Sequence, residues 1–61
     1  MKIKKYEFSY KDNEGDLFES QPFESLSEAR KEIKRLREMY DGDFEVVETW
    51  IYENGEFVGR F

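Results

Sequence analysis

Polar and apolar positions alternate from Ile3 to Lys11. Tyr6, Phe8 and Tyr10 share one parity, and Lys5, Glu7, Ser9 and Lys11 share the other. Successive side chains of a strand point to opposite faces, so this pattern predicts a half-buried strand. Asp12-Asn13-Glu14-Gly15 interrupts it and predicts a turn, with Gly15 suited to the left-handed position of a short hairpin loop. A type I turn with a bulge at Gly15 places Tyr10 opposite Phe18. Phe18 then joins the aromatic face and Leu17 the outer one. The second strand runs from about Asp16 to Gln21 and stops at Pro22, which has no N–H for a ladder.

The period then changes. Leu26, Ala29, Ile33, Leu36 and Tyr40 recur at spacings of three and four, which sets them on one stripe of a helix. Ser25 and Glu28 form an S-x-x-E capping box at its start. Good helix formers fill the positions between, with no Pro or Gly. Gly42 can adopt the left-handed conformation that closes a helix, so the end is expected near Tyr40 or Asp41.

Phe44 to Tyr52 is rich in β-branched and aromatic residues and reads as a third strand. Asn54-Gly55 predicts a type I′ hairpin turn. That turn sets Glu53 opposite Glu56, Tyr52 opposite Phe57, Ile51 opposite Val58 and Trp50 opposite Gly59. One face then carries Phe44, Val46, Trp50, Tyr52, Phe57 and Phe61; the other carries Val47, Thr49, Ile51, Val58 and Arg60. The first is more apolar and is assigned to the helix side. Glu48 has the wrong parity for that face, so it lies at the periphery or a bulge at Val47-Glu48 shifts the register.

The expected fold is α+β, ββαββ, with one helix on one face of a four-stranded antiparallel sheet. Order 2-1-3-4 is preferred because every neighbour is antiparallel and the helix crosses over strand 1; order 1-2-4-3 is sterically possible. The expected core is Tyr6, Phe8, Tyr10, Phe18, Leu26, Ala29, Ile33, Leu36, Tyr40, Val46, Trp50, Tyr52 and Phe57. With 61 residues the chain reads as a single small domain, residues 1–61, with one small core.

Composition narrows the function classes. Aromatic residues make up 18% of the chain, which lets a short sequence build a core although 41% of its residues are charged. The net charge of −5 argues against nucleic acid and anionic membrane as partners and also favours solubility. No apolar run approaches a membrane span, and MKIKKYEFSY has no apolar segment of the signal-peptide kind. The absence of cysteine fits a cytoplasmic protein and removes disulfides and thiolate metal sites.

Candidate chemistry is sparse. Without histidine or cysteine the chain lacks the commonest general base, nucleophile and transition-metal ligands. The four glycines are scattered and form no phosphate loop. The serines have no histidine to activate them. Asp12 to Asp16 offers oxygen ligands but lacks the spacing of an EF-hand loop, and it reads as a hairpin turn; Asp41-Gly42-Asp43 reads as a helix stop. No enzyme activity, cofactor or metal is expected.

The strand–turn–strand followed by Phe23-x-Ser25-x-x-Glu28-Ala29, over Tyr6 to Leu36, resembles small sheet-plus-helix domains of AP2 type. It is also similar to the arm-binding domains of tyrosine integrases. The resemblance implies DNA binding through basic strands, whereas the corresponding strand here reads DLFES. Size and composition are similar to those of small orphan proteins of Gram-positive bacteria and their phages.

The leading expectation is a small non-catalytic module that binds a protein, of the inhibitor or modulator kind found in phages and mobile elements. Its surface is expected on the outer face of the second hairpin, at Val47, Ile51 and Val58, for a partner or a symmetric homodimer. The alternative is a nucleic-acid-binding module using the helix flank of Arg30, Lys34 and Arg37 with Lys2, Lys4 and Lys5. Glu28, Glu32 and Glu38 lie within helical reach of Lys31, Arg35 and Lys34, so the same helix also reads as an ion-paired, solvated face.

Overall fold

A computed structural model describes residues 3–61. Its elements are β1 (Lys4–Lys11), β2 (Leu17–Glu19), α1 (Leu26–Met39), β3 (Glu45–Glu53) and β4 (Glu56–Gly59). They form one antiparallel sheet of order β2-β1-β3-β4, with the helix packed chiefly on β1. The α+β class, the ββαββ order and the 2-1-3-4 topology therefore stand as expected; order 1-2-4-3 does not occur. Lys2 lies outside the described residues.

The first hairpin follows its turn chemistry. Gly15 sits at φ 82°, its N–H donates to the Asp12 carbonyl, and Tyr10 pairs with Phe18. The Asp12 carboxylate accepts the N–H groups of Glu14 and Asp16 at 2.9 and 3.0 Å, which ties the loop to its first residue. β2 is shorter than the alternation predicts. Past Glu19 the chain stays beside β1 by other bonds. The Ser20 hydroxyl accepts the Phe8 N–H at 3.0 Å, and Phe23 and Tyr6 exchange a pair of backbone bonds across Pro22.

Ser25 caps the helix, its extended backbone carrying an Oγ that accepts the Glu28 N–H at 3.1 Å. The closing turn places both Asp41 and Gly42 at positive φ, 53° and 83°. The Gly42 N–H reaches back to the Arg37 carbonyl at 2.8 Å, which closes the last turn. Ala29 and Leu36 are buried against the sheet, while Leu26, Ile33 and Tyr40 are half-buried at the edges of the stripe.

The second half of the sheet departs from the expected register in two places. Along β1 and β3, Tyr10 pairs with Val46 but Ser9 pairs with Glu48, so Val47 is an extra residue. This bulge resolves the ambiguity at Glu48. One inserted residue reverses every side chain beyond it, because the strand period is two. Past the bulge Phe8 pairs with Thr49, Tyr6 with Ile51, Glu7 with Trp50 and Lys5 with Tyr52. Thr49 and Ile51 therefore share the helix side with Phe8 and Tyr6, and Trp50 and Tyr52 lie on the outer side. The face assignment made from parity alone is inverted from Glu48 to Phe57; past the extra residue Val58 it is restored, and Phe61 lies on the helix side as expected.

The second departure is in the last hairpin. Asn54 and Gly55 take the positive φ values of a type I′ turn, and Glu53 pairs with Glu56 and Tyr52 with Phe57 as expected. Ile51 then pairs with Gly59, which leaves Val58 as the extra residue of a second bulge. The expected pairs Ile51–Val58 and Trp50–Gly59 do not form.

The helix-side interior is a row of rings. Phe8 is fully buried and contacts Tyr10 and Phe23; Tyr10 contacts Phe18 and Phe44; Phe44 contacts Tyr40. Phe61 closes the far end against Tyr6, held by Thr49, whose hydroxyl bonds both the carbonyl and the N–H of Phe61. Trp50, Tyr52 and Phe57 are absent from this core because the bulge has turned them outward. Phe18 reaches the aromatic row but stays 42% exposed, since β2 is an edge strand. The Cα body measures 39 × 18 × 15 Å, and in so elongated a two-layer body the buried hydrophobes among the described residues are Phe8, Ala29 and Leu36.

Candidate functional site

The uncovered face of the sheet holds the most distinctive surface among the described residues. Its centre is Trp50 and Tyr52 on β3 with Phe57 on β4. The Tyr52 and Phe57 rings meet edge to face, centroids 6.1 Å apart, and Phe57 remains 54% exposed. An edge-to-face pair leaves one ring face open to a further contact. Across the sheet from Trp50 stands Glu7, and Glu48 follows two residues back along β3 on the same side. Lys5 stands across from Tyr52 and reaches Glu24 at 3.5 Å. Ser9, buried between Glu19 and Glu48 in the ladder, accepts the Glu48 N–H on its hydroxyl at 3.2 Å and holds the bulge in place.

The residues expected to form the interaction surface are not all on this face. Ile51 is half-buried on the helix side, opposite Tyr6. Val47 and Val58 are the extra residues of the two bulges, 44% and 54% exposed. The aromatic trio takes the outer position that Thr49 and Ile51 were expected to fill. The signal that pointed to it was Glu48, whose parity conflicts with an unbroken strand.

The basic flank is only partly assembled. Arg30, Lys34 and Arg37 are exposed on the helix, and the Arg37 guanidinium lies 5.7 Å from the centre of the Phe44 ring. Lys4 pairs with Glu53, and Lys5 faces the side of the sheet away from the helix, so Lys5 does not join the flank. Arg35 binds Glu32 through two parallel bonds, Nη2 to Oε2 at 2.8 Å. This hydrogen bonding holds the Glu32 carboxyl below its usual range and raises the guanidinium. Burial pushes the Tyr10 phenol up, with Tyr40 and Glu32 adding to the effect.

An open cleft of about 480 Å³ lies between the first turn and the helix end, lined by residues of 11–15 and 42–45. Asp12 and Glu14 line it, and their carboxylates stand with that of Asp16 within 4.8 Å of one another. They are bound up with the turn itself, since Asp12 Oδ1 already accepts two backbone N–H groups.

No protein family, curated protein or solved structure matches this chain. The resemblance to DNA-binding sheet-plus-helix domains thus gains no structural relative. No helix among the described residues is long and apolar enough to cross a membrane.

Charge is unevenly shared between the layers. The helix carries five basic residues against three acidic ones, a balance of +2. The remaining residues carry twelve acidic against five basic, a balance of −7. The sheet and its turns form an acidic layer, and the aromatic face lies in it.

Proposed function

We propose that the chain is a small cytoplasmic, non-catalytic module that binds a protein partner through the outer face of its sheet. The observation that supports this reading is the placement of Trp50, Tyr52 and Phe57 on the side that no helix covers. Phe57 is exposed and Trp50 and Tyr52 are half-buried beside it, and aromatic side chains clustered on an uncovered face are enriched where proteins meet. The absence of histidine and cysteine agrees with a role without catalysis. Such a module acts by occupying its partner's surface, which makes it an inhibitor or modulator.

Affinity capture with the immobilised protein tests the reading. The parent is expected to retain a specific partner that Phe57→Lys fails to retain. A partner held equally by both, or none at any salt concentration, counts against it. The competing reading, a nucleic-acid module, rests on the exposed flank of Arg30, Lys34 and Arg37. The acidic sheet layer opposes it. Tight oligonucleotide binding that weakens steeply with salt would favour it.

A further inference from the structure

We infer that the partner segment received by this face is cationic, an arginine- or lysine-bearing stretch whose side chains lie over Trp50, Tyr52 and Phe57. This rests on the protein-binding reading above and specifies its chemistry. Three observations converge. The first is the face itself: aromatic rings attract a cation through the negative charge density above their planes. The second is the immediate rim. Glu7 stands beside Trp50 across the ladder, and Glu48 lies two residues along β3 on the same side, exposed. A guanidinium over a ring can therefore also meet a carboxylate, the combination that arginine's planar fork suits. The third is the layer as a whole, whose balance of −7 draws in cations over a longer range than any single pair.

The basic residues of the same face modify this picture without reversing it. Lys5 is engaged by Glu24. Lys11 pairs with Glu45 across the ladder, at the far end of β1 from Tyr52. Arg60 is exposed and follows Gly59, and the bonds from Thr49 to Phe61 carry the strand pairing past it, which places Arg60 next to Trp50. Among the described residues Arg60 is thus the cation beside Trp50 that competes for the face, and its removal should improve the site.

Trp50 is the only tryptophan in the chain and reports on the face directly. The probe is an acetylated, amidated hexa-arginine peptide titrated into the protein, read by Trp50 emission. Saturable binding is expected. Phe57→Ala, which changes no charge, should weaken it at least fivefold, and Phe57→Leu should weaken it less than Ala does. Glu7→Gln should weaken it severalfold, whereas Glu14→Gln, the same change of charge at the first turn, should leave it within twofold. Arg60→Ala should tighten it. Thermal melts of each variant confirm that the fold is retained. Equal losses from Glu7→Gln and Glu14→Gln, with Phe57→Ala unchanged, would mean diffuse charge attraction and overturn the site. Tighter binding of hexa-glutamate or of a single-stranded oligonucleotide would overturn it in favour of another partner class. Self-association that displaces the peptide and is abolished by Phe57→Lys would assign the face to a second copy. A partner captured through Phe57 that gains nothing from basic residues would leave the protein-binding reading standing and refute this one.

Discussion

Ser9, Ser20 and Thr49 do similar work in different parts of the sheet. Each hydroxyl takes a backbone N–H that the regular ladder leaves without a carbonyl: Glu48 at the bulge, Phe8 beside the end of β2, and Phe61 past the end of β4. Nothing in their spacing marked them as structural. A hydroxyl that replaces a carbonyl has no sequence pattern and becomes visible only when the ladder fails around it. Removing such an acceptor leaves a part-buried N–H unsatisfied. Ser20→Ala is therefore expected to cost about 1–3 kcal/mol in chemical denaturation. Gly42, at φ 83°, is a second sensitive point, and Gly42→Ala should cost about 1–2 kcal/mol in the same assay. Titration at the residue scale has a definite sign. The folded-state pKa of Glu32 is depressed, so its contribution is complete above the unfolded value of about 4.5 and is lost as pH falls through the lower folded one. The stability gap between the parent and Glu32→Gln should close on acidification. Arg35 is largely exposed, so the gap is small and shrinks with added salt. Tyr10 has the opposite sign: its raised pKa gives stability that is present below about 10 and lost as pH rises through the folded value.

Among the elements, the helix and both turns were legible because their signals are local. A cap, a stripe and a glycine identify α1, and Asn54-Gly55 fixes its turn whatever surrounds it. The face of β3 was not legible, because it depends on a partner strand far away in sequence. Val47 fits a strand in either parity, and only the distant pairing of Ser9 with Glu48 decides that it is the extra residue. The candidate site inherits this difficulty: Trp50, Tyr52 and Phe57 are apolar enough for a core, and parity alone assigns them to one. Two substitutions separate the alternatives. Ile51→Lys introduces a charge on the helix side and should lower stability by about 1.5–3 kcal/mol, the transfer cost of a large aliphatic side chain. Phe57→Lys lies on the outer side and should change the melting midpoint little. Leu36, only 4% exposed, anchors the helix, and Leu36→Ala should cost about 2–5 kcal/mol, most of the stability expected of a domain this small.

At the scale of the whole molecule, one helix covers one side of the sheet and leaves the other to water or to a partner. Both sheet edges are blunt. β2 has three residues and is followed by Pro22, and β4 has four and carries a bulge at Val58. Short, bulged or proline-bounded edges resist pairing with other strands, so assembly through the edges is not expected and the open face is the surface left for contact. All of this depends on the bulge at Val47, since an unbroken β3 would return Trp50 and Tyr52 to the core and expose Thr49 and Ile51. Nuclear Overhauser spectroscopy of the protein in solution tests it most directly. The bulged register requires cross-strand contacts of Tyr6 with Ile51, Phe8 with Thr49 and Tyr10 with Val46, and a Trp50 indole that touches neither Phe8 nor Leu36. Contacts from the Trp50 indole to the Leu36 methyls or the Phe8 ring would contradict it.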